Sequence, residues 1–316
     1  RHNRVRNGTA RYAEWNYGPQ KWMMNHLNIK FFSESKFFDK ATLSLSQQSF
    51  EESRISRDFN KPIRETRAED VQAYAVNLDF TKVHKRHTLF YGAEYVLNDV
   101  TSTGIDENIE DGSVSEAQSR YPQADWQSVA IYLTDEYKAS ENLTLSGGLR
   151  LNAFALDADF TTDFFPFPFE EASLDNAALT GSFGASYRPD ASWVVRANVG
   201  TAFRSPNVDD VGKIFDSEPG AVVVPNADLD AEYAYNFDLG AAKQLFGNLK
   251  VEVTGFYTIL NNALVRRDFQ LNGQDEILFA GQLSRVQAIQ NAARSERYGV
   301  QIGVDWEFSS AWTFGL

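Results

Sequence analysis

No cysteine occurs in the 316 residues. That excludes disulfide scaffolds, thiolate metal sites and cysteine nucleophiles. Methionine numbers two and histidine four. Positive charge is in deficit, with 30 Lys and Arg against 43 Asp and Glu and a net charge of −13. Such a balance argues against nucleic acid, or an anionic membrane surface, as a partner. A run of about 18 apolar residues is missing as well, so no transmembrane helix is expected. A β-barrel is untouched by that absence, because only one face of each strand meets lipid. HExxH, GxSxG and a glycine-rich loop leading into a helix are all lacking. The expectation is a protein that is not an enzyme and holds no resident cofactor.

What is present is period-two alternation. In "NLKVEVTGFYTI", Leu249, Val251, Val253, Tyr257 and Ile259 share a face opposite Lys250, Glu252, Thr254 and Thr258. "NLTLSGGLRL", "EYAYNFDLG" and "RYGVQIGVDWEF" alternate in the same way, as do 39–50, 69–81, 86–97, 126–137, 178–188 and 191–201, with 21–32 fitting less cleanly. Aromatics reach 14%, a bias that suits strands. Eleven strands and the start of a twelfth at 311 are expected. Each runs about 10–15 residues, longer than the usual soluble strand of about 5–6 and enough to cross a bilayer at a tilt.

The connections are expected to be short at 33–38, 82–85, 138–142, 188–190, 245–248 and 309–310. They are expected to be long at 51–68, 98–125, 157–177, 202–229 and 261–290. Strict alternation puts tight turns on one rim and long loops on the other, the outer-membrane pattern of periplasmic turns and extracellular loops. A soluble sandwich has no reason to alternate loop lengths. Alternation by itself does not say which face meets lipid. Tyr137, Tyr187, Trp193, Trp306 and Phe308 lie near strand ends, where interfacial girdles form. The expected fold is therefore all-β, an antiparallel up-and-down transmembrane β-barrel. Both ends of the sequence read as cut, so the chain is expected to be about half of a larger barrel.

One strand ends in "FRSPN", followed by about twenty loop residues and then "VPNADLDAEYAYNFDLGA". This resembles the signature of TonB-dependent outer-membrane receptors. The matching positions are Phe203, Arg204, Ser205, Pro206, Asn207, Pro225, Asn226, Leu229, Glu232 and the Leu239–Gly240 ending. Ser205 stands where the family has Ala, the order at 225–226 is Pro–Asn, and Ala231 replaces the usual Pro. "AEWNYGPQ" (13–20), "FYGAEY" (90–95) and "SRYP" (119–122) also look like barrel segments of this family. The resemblance covers residues 1–316 as a partial barrel of 22 strands, without the plug domain or the last strands. It implies active uptake of a ferric siderophore or haem, driven through the plug by the TonB–ExbB–ExbD complex, in the outer-membrane lipid. A passive porin, a receptor for cobalamin or another nutrient, and a barrel-borne adhesin are the alternatives.

Candidate ligand contacts are Phe203 to Asn207, Pro225 and Asn226. Arg204 either meets an anionic ligand or the plug, or braces its own loop. Pro206 lacks an N–H and stops the ladder; Asn207 suits the turn that follows. The loop aromatics of "DFFPFPFEE", among them Phe165 and Phe167, serve either as a greasy contact or as loop packing. No His lies between the two boxes, and His84 and His87 fall on the tight-turn rim. His26 lies opposite Leu27, Ile29 and Phe31, on the lumen face, as a candidate haem ligand. Acid clusters at Asp106, Glu107, Glu110, Asp111 and at Asp209, Asp210, Asp216, Glu218 match no Ca²⁺ loop spacing and are read as solvated loop charge. No metal site is expected.

Overall fold

The computed structural model describes residues 5–6, 9–10, 12–164, 167, 169–212, 215–218, 220–279 and 281–316. A small ribbon of β1 (Val5–Arg6) and β2 (Thr9–Ala10) precedes the wall. β3 (Tyr12–Tyr17) and β4 (Lys21–Phe32) are two halves of one interrupted stave, since both pair with β5 (Lys40–Asp58). The wall continues through β6 (Ile63–His84), β7 (His87–Asn108), β9 (Gln123–Lys138), β10 (Leu143–Asp159), β11 (Glu171–Tyr187) and β12 (Trp193–Arg204). It ends with β15 (Glu232–Leu245), β16 (Leu249–Asp268), β18 (Gln282–Ser309) and β19 (Trp312–Gly315). β8 (Val114–Ala117) and β17 (Glu276–Phe279) are short additions to β7 and β18. Sequential antiparallel ladders link the staves into a barrel-type wall. β4 shares a register with β5, and β19 with β18.

The tight connections are where the alternation places them. His84 pairs with His87 around Lys85, whose φ is 54°. Phe246 (φ 54°) and Gly247 (φ 77°) turn the chain between β15 and β16. The opposite rim differs from expectation. Residues 51–68 are not a loop: β5 continues to Asp58, turns at Asn60, and β6 begins at Ile63. The expected loops 98–125 and 261–290 are also largely strand, and 157–177 is strand at both ends, with β7 reaching Asn108, β10 reaching Asp159, β11 beginning at Glu171 and β16 reaching Asp268. The staves therefore rise well above the apolar band before they connect. The backbone finds hydrogen-bond partners there by continuing the ladder instead of by forming loops.

Through the middle of the wall the outward face is apolar and exposed. Val129, Ile131 and Leu133 on β9 stand beside Ala153, Leu151 and Leu149 on β10, and Leu151 stands beside Leu179 on β11. Val253 and Ile302 form the same kind of pair across β16 and β18. Leu149 is 62% exposed. The inward face is polar: Arg150 reaches Glu94 at 2.5 Å, and the Tyr132 hydroxyl donates to Asp79 at 2.5 Å. Gly92 makes room for this crossing, since a Cβ there would lie 2.3 Å from the Leu78 carbonyl oxygen and 2.9 Å from the Tyr132 hydroxyl. Greasy outside and polar inside is the reverse of a water-soluble barrel, and it fits a wall that stands in lipid. Aromatics mark the tight-turn rim. Trp306 and Phe308 meet at 5.3 Å, the Lys243 ammonium sits 4.5 Å over Trp193, and His87 stacks on Tyr137 at 4.6 Å.

Candidate functional site

The chain buries its core at the long-loop rim, inside the mouth of the wall. Leu156 and Ala158 from β10, Ala172 from β11, Val286 and Ala288 from β18 converge there. The segment between β12 and β15 supplies the rest, through α1 (Val208–Gly212) and β14 (Ala221–Val223), with β13 (Phe215–Glu218) paired to β14. β14 lies parallel to β18, with Val222 opposite Val286, a pairing unlike the antiparallel wall. Val208, Val211, Val222, Val224 and Leu229 are buried in this cap. Gly212 ends α1 against Pro122, where a Cβ would come within 2.4 Å of the proline ring.

The "FRSPN" residues sit where the wall hands the chain to the cap. Arg204 closes the β12–β15 ladder opposite Glu232. Its guanidinium donates to Asp210 at 2.6 and 2.8 Å and to Glu232 at 3.1 Å. The Asp210 bonds, foremost, hold the Arg204 proton more tightly than usual. Asn207 is the N-cap of α1: its side-chain oxygen accepts from the Asp210 N–H at 3.1 Å, and the Asp210 carboxylate accepts from the Asn207 N–H at 3.0 Å. This reciprocal pair satisfies two helix-end donors. Glu232 also accepts from the Leu264 N–H at 2.6 Å, which fastens the cap to β16. Pro206 is fully buried, and Ser205 is half-buried beside it.

The second box performs a similar task. Pro225 is fully buried. The Asn226 amide donates to the Ile289 carbonyl at 2.8 Å, its side-chain oxygen accepts from the Asp228 N–H at 3.1 Å, and its backbone N–H donates to Val211 at 3.0 Å. One residue thus ties α1, the following turn and β18. Of the loop aromatics, Phe167 is buried and packs with Phe160 at 5.7 Å and Phe169 at 6.1 Å, while Phe164 is exposed. Phe165 lies outside the described residues. The acids Asp106 and Glu107 pair with Arg67 and Arg64 at 2.8 and 3.0 Å, and Asp111 caps its own turn through Ser113. Side chains at 216 and 218 lie outside the described residues. No cluster of metal-ligating side chains occurs among the described residues.

Beneath the cap, within the lumen, is a cavity of about 830 Å³. Phe203, Arg204, Ser205, Asn207 and Val208 form its roof, with Tyr121 and Arg120 from the β8–β9 connection. Its walls are Glu52 and Arg54 from β5, Glu69 from β6, Glu94 from β7, Trp126 from β9, and Arg150 from β10. Glu69 is only 7% exposed. Arg120 Nη1 stands 3.4 Å from it, but neither carboxylate oxygen accepts a well-formed hydrogen bond. Burial raises its pKa above the usual carboxylate value, and Arg120 offsets part of that rise. The buried indole nitrogen of Trp126 has no hydrogen-bond partner among the described residues either. Arg120 also stacks on the Tyr121 ring at 4.9 Å, and the Tyr121 hydroxyl donates to Asp209 at 2.7 Å. His26 is on the lumen face opposite Ser46, exposed, and outside this lining. Of the residues that the sequence singles out, Phe203, Arg204, Ser205 and Asn207 line this cavity, and Pro206, Pro225, Asn226 and Phe167 do not. Glu69, Arg120, Trp126 and Arg150 are lining residues that the sequence reading does not single out; for Glu69 and Arg150 the available signal is a polar residue at every second position of a long strand, and Arg120 lies within the SRYP segment.

A family model described as "TonB dependent receptor-like, beta-barrel" matches residues 2–316. The chain belongs to the TonB-dependent receptor β-barrels. Among solved structures, this receptor barrel superposes on the copper transporter OprC with a TM-score of 0.74 at 14% identity, covering 95% of this chain and 47% of that one. The Serratia marcescens hemophore receptor HasR gives 0.62 at 13% identity, covering 91% and 52%. The ferric yersiniabactin uptake receptor FyuA of Yersinia pestis gives 0.60 at 13% identity, covering 93% and 41%. A curated relative, the pesticin receptor of Yersinia pestis, is 20% identical over 196 residues, 60% of this chain and 25% of that protein. The chain spans about half the length of the solved structures it matches, and the matched stretch is a quarter of the curated relative's length. At these identities the superpositions speak for the fold alone. The family is one of transport receptors.

Proposed function

We propose that the chain forms the wall and outer cap of an outer-membrane receptor that takes up a scarce metal complex, a ferric siderophore or haem. The observation that carries this reading is the open cavity of about 830 Å³ that lies beneath a cap with its own apolar core. A passive porin keeps an aqueous channel open through its lumen; here the long-loop mouth is filled by α1, β14 and the residues around Pro225. A concave site with convergent polar groups at such a mouth suits capture from outside. In this reading a plug closes the other end, and the TonB–ExbB–ExbD complex pulls on it to release the ligand inward. The receptor itself performs no bond chemistry. Arg204, Asn207 and Asn226 then serve by holding the roof, and Phe203 and Ser205 by facing the ligand.

The test is growth of a strain lacking the receptor, with single ferric siderophores or haem as the iron source. The expected result is loss of growth on one source, reproduced when TonB is inactivated. Growth that ignores TonB, together with steady conductance of the purified protein in planar bilayers, would establish the passive channel instead. Unchanged growth on every iron source, with loss on cobalamin or another nutrient, would keep the receptor and replace its cargo.

A further inference from the structure

The charges that face the cavity cancel one another. Four arginines line it with four carboxylates, Glu52, Glu69, Glu94 and Asp209. Each arginine already has a carboxylate: Arg54 with Glu52 at 3.0 Å, Arg120 with Glu69 at 3.4 Å, Arg150 with Glu94 at 2.5 Å, and Arg204 with Asp210, outside the lining, at 2.6 Å; Asp209 accepts from the Tyr121 hydroxyl at 2.7 Å. The chain as a whole carries −13, so this balance is local. Across the β5–β6 ladder Glu52 stands directly opposite Glu69, and both face the lumen. An anionic ligand entering here would have to break an ion pair and then sit against the freed carboxylate. Leaving one partner of a part-buried pair unmatched is strongly unfavourable, and a like charge beside it selects against the anion. A cationic ligand meets the same problem with the sign reversed.

The surfaces between the pairs are apolar, supplied by Phe50, Val71, Val100, Trp126 and Phe203. Among the described residues, two polar groups in that lining lack a hydrogen-bond partner: the indole N–H of Trp126, a donor, and the carboxyl of Glu69, which is more than nine-tenths buried and has only the ion pair with Arg120. Buried groups without hydrogen bonds are rare in folded proteins and point to something that completes them. A ligand that offers an acceptor to Trp126 and a hydroxyl or amide donor to Glu69 would satisfy both without disturbing any ion pair.

We propose that this cavity takes an electroneutral metal chelate with an apolar ring or alkyl surface, held by a hydrogen bond from the Trp126 Nε1–H and by one to the Glu69 carboxyl. This assignment rests on the uptake reading and narrows it by charge. The experiment uses the full-length receptor in detergent, with binding followed by calorimetry. One set of probes is uncharged, the ferric hydroxamate and ferric phenolate chelates; the other is anionic, the ferric catecholate and ferric citrate chelates. An uncharged probe is expected to bind at least about a hundredfold more tightly than either anion, the scale of one mismatched buried charge. Trp126→Phe is expected to weaken that probe about five- to tenfold, one hydrogen bond's worth, and Glu69→Gln to weaken it less. Unchanged thermal transitions of both variants keep misfolding apart from lost contact. Tighter binding of an anionic probe, or an uncharged probe indifferent to both substitutions, would overturn the charge assignment and leave the receptor reading standing. Binding of no metal chelate of either class, haem included, would overturn the uptake reading and this one with it.

Discussion

Two halves of one strand, β10, show how the molecule works. In its lower half Leu149 and Leu151 point outward and are exposed, while Arg150 and Asn152 face the lumen. In its upper half the sense inverts. Asp157 and Asp159 point outward, while Phe154, Leu156 and Ala158 face inward and are buried. Neighbouring strands turn over at the same level. On β9 the outward run Val129, Ile131, Leu133 gives way to Asp125 and Gln127, and on β11 Leu179 gives way to Asp175 and Ser173. The backbone ladder passes through this level without a break in register. The inversion fits a change of solvent, with lipid around the lower half and water around the upper half. The same alternation therefore serves a greasy exterior below and a buried apolar core above.

The largest effects should come from placing charge on the wrong side of that level. Leu156→Asp puts an unpaired carboxylate into the cap core, where Leu156 is 0% exposed. More than about 4 kcal/mol should be lost, seen as cleavage of the cap by protease while the wall stays protected. Leu151→Arg, five positions lower on the outward face, should cost about 2–4 kcal/mol in a bilayer. That cost should vanish in Asp157→Arg, as measured by urea unfolding in lipid vesicles. Equal penalties at 151 and 157 would erase the distinction between the two halves.

Smaller changes probe the joints of the cap. Gly212→Ala forces a Cβ to within 2.4 Å of Pro122. Overpacking of this kind costs about 1–3 kcal/mol and should appear as faster amide exchange across α1 and residues 160–164. Asn207→Ala removes the N-cap of α1, an effect of about 1 kcal/mol, and should loosen the cap without altering the wall.

The smallest predicted effect is one of pH, and its sign separates two carboxylates above the lipid level. Burial raises the Glu69 pKa. The folded chain therefore holds that proton more tightly than the unfolded chain. Its contribution is complete below the unfolded value and is lost as pH rises through the folded value. Hydrogen bonds from Arg64 and then Arg57 lower the Glu14 pKa, so its contribution is present above the unfolded value and is lost as pH falls through the folded value. Thermal transitions of Glu69→Gln and Glu14→Gln, compared with the parent from about pH 3 to about pH 8, should diverge in opposite directions. Parallel curves would contradict the assigned environments.

Much of the wall was legible because its cause is local. Alternation at 126–137 and 143–151 follows from a strand with two different surroundings, and the short connections follow from hairpin geometry. The upper halves have the composition of loops. Residues 157–177 and 51–68 carry acids and short polar side chains on their outward face, which looks like loop composition once lipid stops demanding leucine. The parallel pairing of Val222 with Val286 joins residues far apart in sequence and leaves no periodic trace. At the site, FRSPN marks the junction of wall and cap because Pro206 and Asn207 have strong local preferences. Glu69, Trp126 and Arg150 belong to three different strands, and only the ladder registers bring them to one cavity.

The absence of native cysteine allows the central claim to be tested by single introduced thiols. Leu149→Cys, Leu151→Cys, Asp157→Cys and Asp159→Cys can each be placed in the receptor, reconstituted in vesicles and exposed to a water-soluble, membrane-impermeant maleimide. The account predicts rapid labelling at 157 and 159 and protection at 149 and 151 until detergent is added. Labelling at 149 and 151 as fast as at 157 would mean that the leucine face stands in water, and the membrane barrel would be contradicted.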